Sequence, residues 1–445
     1  CNIMEIIQVP RNSIGHILGK NHSKIHEIEK NSKANCTLIR KSTHIVVEGT
    51  NEARKIARNL INDCVWNSIA PYKHPREAVI ALQPPLIRLK TILFSKYEGI
   101  IDRNNINKMY FVLDKGEEMN EIDKLFSFFR DLFSLFENLN IKRTTNIIAP
   151  EKDRKSVEHI AKRIIEQTTK PDNRFLDFKV RVNIGKQLFY PPTRESYDLS
   201  KLIPLYDFLK YEIGYKKDAK TTFMNHISFE VAKIIENRLI ELEYQKSSEV
   251  IQKASIHLID IKARKRFLVS TDITSDGKLI PRKLKAENNK LLYYSFVSPK
   301  PALDFHLKVL SQEPSRTILP TELYNSIKNA TYDPDTKILT LNNRFNSNYL
   351  FTITRIKTKR TFVKCKDKFS NGKIKVSIYE VYQDGKNDMQ VTITSKAIHQ
   401  IIKKMSQTDR IEEKLRLECD KEIEKIINEV RLIVNELYYY SNSQN

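Results

Sequence analysis

Long apolar runs are missing from this chain. No stretch of 18 apolar residues occurs, so no segment is built to span a membrane as a helix. Cysteine is sparse: five residues, at 1, 36, 64, 365 and 419, with no CxxC pair. That scatter argues against a disulfide framework and a zinc site, and it fits a reducing interior such as the cytoplasm. Only 10 Gly and 16 Pro punctuate 445 residues, too few for long disordered linkers. Catalytic signatures are missing as well. GHILGK (15–20) has three residues between its glycines where a P-loop has four, and Asn21 stands where a P-loop has Ser or Thr. No HExxH, GxSxG or paired metal-ligand cluster occurs, and Asp333 and Asp335 in YDPDTK read as a turn. The expectation is a non-enzymatic protein with no metal and no cofactor.

Positive charge is what the chain has in excess. Its 76 Lys and Arg against 54 Asp and Glu give a net charge of +22. A surplus of that size points to a polyanion partner, nucleic acid before a membrane surface. The length allows a sizeable core and several domains. The chain opens on Cys1 and not on Met, directly before an expected strand. It is therefore expected to be a segment of a longer protein, with any targeting signal outside it.

The first seventy residues carry the clearest pattern. Met4 to Val9 is a short apolar strand closed by Pro10. Ile14, Ile17 and Leu18 recur on one helix face until Gly19 breaks it. Ser23 is a candidate cap for a second helix whose buried side carries Ile25 and Ile28. Residues 35–40 and 44–48 read as strands around a KST turn. Thr50 then caps a helix with Ala53, Ile56, Ala57, Leu60 and Ile61 at core spacing. A tight helix–loop–helix leaves backbone N–H groups at the start of the second helix, a ready anion site, and Lys20 and Lys24 add charge to it. Trp66 is the only Trp, Tyr or Phe in this stretch, so aliphatic contact and hydrogen bonding are the expected mode.

The order strand, helix, helix, strand, strand, helix, with IIQVPRNSIGHILGKNHSKIHEIEKNSKANCTLI and then HIVVEGT, resembles a eukaryotic-type K-homology (KH) domain over residues 3–68. The resemblance implies a type I KH fold (βααββα) that binds single-stranded RNA or DNA. It places the GXXG loop on Gly19, Lys20, Asn21 and His22 and the apolar floor on Ile14, Ile17, Leu18 and Ile25. Leu38, Arg40 and Lys41 form the opposing wall. His22 departs from the pattern: if that position needs positive φ, a non-glycine residue costs about 1 kcal/mol there and its side chain narrows the backbone track. The domain's charge is modest, ten Lys and Arg against six Asp and Glu in residues 1–70. Two readings stand, an RNA clamp and a packing module.

The expected class is α/β (α+β), multidomain. Residues 1–70 are the KH domain. Residues 77–168 are a candidate degenerate KH-like unit, because Val157, Ile160, Ala161, Ile164 and Ile165 repeat the spacing of Ala53, Ile56, Ala57, Leu60 and Ile61. Phe126, Phe129, Phe133 and Phe136 in it sit at helical spacing and read as core. Residues 173–394 are a body rich in antiparallel sheet, with a helix over 223–244 and a meander over 349–394 turning at SNG and QDG. In arrangement alone, this remainder resembles the large domain of uncharacterised fungal KH-domain proteins. Residues 395–441 are helical, with an apolar seam of Leu415, Cys419, Ile423, Ile426, Val430, Ile433 and Leu437 that packs on the body or recruits a protein partner.

Most of the charge lies on the body: 253–308 holds 12 basic and 5 acidic residues, and 344–375 holds 10 and 1. Lys262, Arg264, Lys265 and Arg266 form one cluster. Arg355, Lys357 and Lys359, and then Lys364, Lys366 and Lys368, alternate along strands. Each set is either a phosphate contact or a solvated face. The functional expectation is single-stranded RNA held at the GKNH loop, with phosphate contacts on the basic body, in an mRNA- or ribosome-associated setting and with no membrane partner. A protein-interaction scaffold is the alternative.

Overall fold

The computed structural model describes residues 3–97, 109–120, 145–150, 153–173, 176–191, 199–214, 217–248, 250–313, 318–341, 351–368, 373–383, 385–408, 412–435 and 437. The expected aromatic helix near Phe126 to Phe136 and the SNG turn lie outside these residues.

The N-terminal segment has the expected order: β1 (Ile3–Gln8), α1 (Ile14–Leu18), α2 (Ser23–Ser32), β2 (Asn35–Leu38), β3 (His44–Gly49) and α3 (Asn51–Ile69). Its three strands form a separate antiparallel sheet in the order β1-β3-β2. Ile17, Ile25, Ile28, Ile45, Val47, Ala57 and Ile61 close one core between sheet and helices. Thr50 caps α3 as expected, accepting from the Ala53 N–H at 3.2 Å.

The rest runs β4 (Glu77–Leu82), β5 (Thr91–Lys96), β6 (Phe111–Lys115), β7 (Thr145–Ile148), α4 (Asp153–Thr168), β8 (Asp177–Tyr190), β9 (Leu202–Pro204), α5 (Leu205–Leu209) and β10 (Lys220–Met224). It continues with α6 (Phe229–Glu241), β11 (Gln245–Lys246), β12 (Gln252–Asp260), β13 (Lys265–Ile273), β14 (Leu279–Ala286), β15 (Asn289–Val297) and β16 (Asp304–Gln312). It ends with α7 (Thr321–Lys328), β17 (Thr331–Tyr332), β18 (Leu339–Thr340), β19 (Phe351–Lys366), β20 (Ile374–Gln383), β21 (Lys386–Ser395), α8 (Lys396–Ser406) and α9 (Glu413–Val434). The chain is thus mixed α/β, with a large sheet-rich body after the first domain.

One sheet dominates, in the order β14-β13-β12-β19-β20-β21-β8-β16-β15-β4-β7. It is antiparallel except where β4 lies parallel to both β15 and β7. Residues 77–168 contribute β4 and β7 to this sheet, and α4 packs its Val157, Ile160, Ala161 and Ile164 into the same core as the strands. The expected helix over 223–244 is shorter. Ser228 caps α6 by accepting from the Val231 N–H, and residues 220–224 pair with β8 as a strand. Gly185 permits that crossing, because a Cβ there would stand 1.9 Å from the Met224 carbonyl oxygen. Within the expected meander, β19 runs unbroken from Phe351 to Lys366, with a bulge between Thr361 and Val363.

The sheet has one apolar and one polar face. Val180, Val182, Leu307, Val309, Val376, Ile378, Val391 and Ile393 point outward to α4, α6, α8 and α9. On the far side α7 covers Ile256, Val269 and Leu284. The alternate positions along these strands are polar and share the opposite, inner face. The sheet curls around that face. β14 and β15 are joined by Glu287 and Asn288 alone, and the Gln312 side chain at the end of β16 donates to the Ala286 carbonyl at 2.9 Å across the seam.

The C-terminal seam is spent on this body. Cys419, Ile423, Ile426, Val430, Ile433 and Leu437 are buried in the main core, so they are not available to a partner. Among the described residues, no helix is long and apolar enough to cross a membrane.

Candidate nucleic-acid interface

The loop between α1 and α2 is built by backbone geometry. Gly19 ends α1 at φ 71°, ψ 176°, a region open in practice only to glycine. A Cβ there would meet the Lys24 Cβ at 2.7 Å and its backbone nitrogen at 2.8 Å. Asn21 (φ 50°, ψ 40°) and His22 (φ 59°, ψ 17°) are both left-handed. Ser23 begins α2 in right-handed geometry at φ −62°. A left-handed residue followed by a right-handed one turns successive N–H groups toward one point, which is an anion-binding nest. His22, and not Ser23, occupies the cap position of α2, and its side chain makes no capping bond.

The side chains around the loop divide. Lys20, Asn21 and His22 are exposed. Lys24 is held by Glu27 at 2.9 Å, so part of its charge is already answered. Of the expected floor, Ile14 and Leu18 are half-buried at the domain edge. Ile17 and Ile25 are fully inside the core, because both helices turn the i, i+3 side inward; the apolar surface left to a ligand is Ile14 and Leu18. Across the groove Leu38 is half-buried, Arg40 is exposed, and Lys41 takes φ 57° in the turn.

The Lys262–Arg266 cluster does two different jobs. Lys262, Arg264 and Lys265 are exposed around the β12–β13 turn. Arg266 fastens the first domain to the body: its guanidinium donates to the Ala70 carbonyl at 2.6 Å and to Asn67 Oδ1 at 3.0 Å, and lies 3.7 Å from the centre of the Tyr72 ring.

Arg355, Lys357 and Lys359 share the inner face of the sheet. The register sets Lys253 opposite Lys359, Ser255 opposite Lys357 and His257 opposite Arg355. The bulge shifts parity, so Lys364 and Lys366 stand opposite Ser377 and Lys375 on that same side, while Val363 and Cys365 turn to the core. Lys368 lies 3.5 Å from Glu243 at the exposed end.

Four further cations join this face: Lys179 and Arg181 on β8, Lys290 on β15 and Lys308 on β16. Lys308 pairs in register with both Arg181 and Tyr293. Sequence reading missed these residues, because they are isolated in strands far apart in the chain. The signal available was the alternation of Lys179, Arg181 and Asn183 within DFKVRVNI.

Their environment is that of a concavity. Lys308 and Lys359 lie in β16 and β19, four strands apart, about 19 Å in a flat sheet. Yet Lys308 acts electrostatically on Lys359, and Arg181 and Lys357 act on both. Burial first, and then Lys357, Arg181 and Lys308, lower the Lys359 pKa to about 7. Burial, Lys290, Arg181 and Lys357 lower that of Lys308 to about 8. Burial and the surrounding cations, Arg355 foremost, bring His257 to about 4. Arg181 keeps solvent-exposed surface although protein surrounds it on most sides.

Residues 4–63 match the KH domain family. The chain therefore carries a KH domain at its N-terminus, a fold that points to nucleic-acid binding. No curated protein matches the chain. Among solved structures it is similar to the S. pombe Pct1 RNA triphosphatase, at 10% identity over 65% of this chain and 94% of that one, with a TM-score of 0.41. It is similar also to that triphosphatase in complex with the Spt5 CTD, at 11% identity over 65% and 95%, with a TM-score of 0.40. Likeness at that level does not establish a common fold.

Proposed function

We propose that this chain is a non-enzymatic RNA-binding protein that grips single-stranded RNA on the GKNH loop of its KH domain and adds phosphate contacts from its basic body. One observation carries the reading: the loop keeps an anion-binding backbone, with Gly19 where no Cβ fits and a left-to-right-handed turn at His22–Ser23, although its fourth residue is not glycine. Exposed Lys20 supplies charge beside it. Four buried free thiols, Cys36, Cys64, Cys365 and Cys419, suit the reducing cytoplasm, and association with mRNA or the ribosome is a natural setting.

Filter binding of the full chain to single-stranded RNA at low salt tests the reading. The double change Lys20→Asp, Asn21→Asp opposes the phosphate and should weaken binding about tenfold. Unaltered affinity would remove the loop from the interface. The scaffold alternative has one observation in its favour: Met4 and Ile6 on edge strand β1 are 62% and 58% exposed. Protein partners that survive nuclease treatment, with no RNA binding by the chain, would favour it.

A further inference from the structure

The inner face of the curled sheet gathers more cations than carboxylates. Lys359 Nζ lies 5.3 Å from the centre of the Tyr379 ring and Lys308 Nζ 5.6 Å from that of Tyr293. Lys357 Nζ reaches Gln390 Oε1 at 3.5 Å. Among the described residues, no carboxylate stands within salt-bridge distance of Arg181, Lys308 or Lys359. Two carboxylates of this face have partners at its margins: Asp272 with Arg282 at 2.7 Å and Lys253 at 3.7 Å, and Asp388 with His226 at 3.3 Å. Holding like charges together in a partly desolvated space costs stability; Asp177 acts on Lys179 and Glu287 on Lys290, whereas no carboxylate among the described residues acts on Arg181, Lys308 or Lys359. Such a cost persists where a ligand supplies the missing charge.

We infer that this inner face is a second binding site for single-stranded RNA, in which Arg181, Lys308, Lys357 and Lys359 hold successive phosphates and Tyr293 and Tyr379 present ring faces to the bases. The inference rests on the reading of the chain as an RNA-binding protein. Half-buried tyrosines interleaved with cations favour a strand with bases over a bare polyphosphate. The curl favours one extended strand over a duplex, because the nine strands from β14 to β15, curled on one face, make an interior too narrow for a double helix. The KH domain stands at the rim of this same space. Besides the Arg266 bonds, Lys73 Nζ donates to Asn289 Oδ1 at 2.7 Å, and the Arg76 N–H to the Lys290 carbonyl at 3.1 Å.

The test is fluorescence anisotropy of a short labelled oligouridylate on the full-length chain. It compares wild type, the loop variant Lys20→Asp, Asn21→Asp, and the interior variant Lys308→Met, Lys359→Met, whose methionines keep the stems. The expected result is a loss of about tenfold or more for the interior variant, displacement by unlabelled single strand, and weak displacement by duplex RNA or inorganic polyphosphate. Loss in the loop variant with none in the interior variant overturns this site and leaves the KH reading standing. Loss in the interior variant alone keeps this site and overturns the loop. Equal displacement by duplex, or tighter binding of polyphosphate, also overturns the inference. Photo-crosslinking of 4-thiouridine RNA to the wild-type chain needs no folded variant. Crosslinks in peptides holding Tyr293 or Tyr379 support the site, and crosslinks confined to residues 14–41 overturn it.

Discussion

Two lysines of one sheet are treated in opposite ways. Lys186 on β8 is fully buried and fully answered: its ammonium donates to the Ser298 and Ala302 carbonyls at 2.9 and 2.8 Å and lies 3.1 Å from Asp304 Oδ1. Asp304 in turn accepts from the Ser298 and Gln187 N–H groups, each at 2.8 Å. Lys359, on the inner face, has neighbouring cations and a ring instead. The first arrangement ties the loop after β15 to β8 and leaves no valence for a ligand. The second holds an ammonium that no carboxylate among the described residues answers. Burial alone therefore does not mark a functional lysine; the absence of a partner does.

The sharpest way to break that distinction is to remove the caged ammonium. Lys186→Met leaves Asp304 buried without its counter-charge, and the cost should be about 3–5 kcal/mol in urea unfolding, with RNA affinity unchanged in the folded fraction. A cost below about 1 kcal/mol would mean the cage is not what holds this loop.

Next comes pH. In the folded protein Lys359 and Lys308 titrate near 7 and 8, and in the unfolded chain a lysine titrates near ~10.4. Between those values the unfolded chain binds more protons, so the stability of the empty protein rises as pH goes from 7 toward 10. With screening, the gain is on the order of 2–4 kcal/mol, read from denaturation at each pH. RNA binding should have the opposite slope, because phosphate selects the ammonium form and affinity falls over the same rise. Lys359→Met should flatten both slopes and stabilise the empty protein at pH 7 by about 1–2 kcal/mol. Slopes of the same sign would merge the two lysines into one class.

The contrast between the two lysines also shows what the sequence could reveal. The KH domain was legible because its signals are local: Gly19, the Thr50 cap and helical apolar spacing all act within a few residues. The alternation of Arg355, Lys357 and Lys359 likewise put them on one face. What could not be read was the company they keep. Arg181 and Lys308 reach that face only because β8 and β16 pair across a long separation and the sheet curls, and pairing partners are not encoded near either residue. The same holds for Arg266, which reads as one of four clustered cations and proves to be a fastener of the first domain. The C-terminal seam was readable as a seam, but which surface it covers depended on three other helices.

The smallest predicted effect concerns the loop itself, where the comparison can be sharpened by removing a side chain that costs the fold something. His22 holds φ 59° without a capping bond. Left-handed geometry costs a non-glycine residue about 1 kcal/mol, and glycine would relieve it. Glycine also frees the unfolded chain by a similar 0.5–1 kcal/mol or so, so His22→Gly should leave stability within about 0.5 kcal/mol of the parent. RNA affinity is then the informative readout. If the imidazole only narrows the backbone track, glycine opens it and anisotropy should show binding tightened about two- to threefold, which is the expected outcome. If the ring donates to a phosphate, its loss should weaken binding by a similar factor. A weakened His22→Gly would make this histidine part of the grip, and the loop would then be a modified clamp instead of a constricted one.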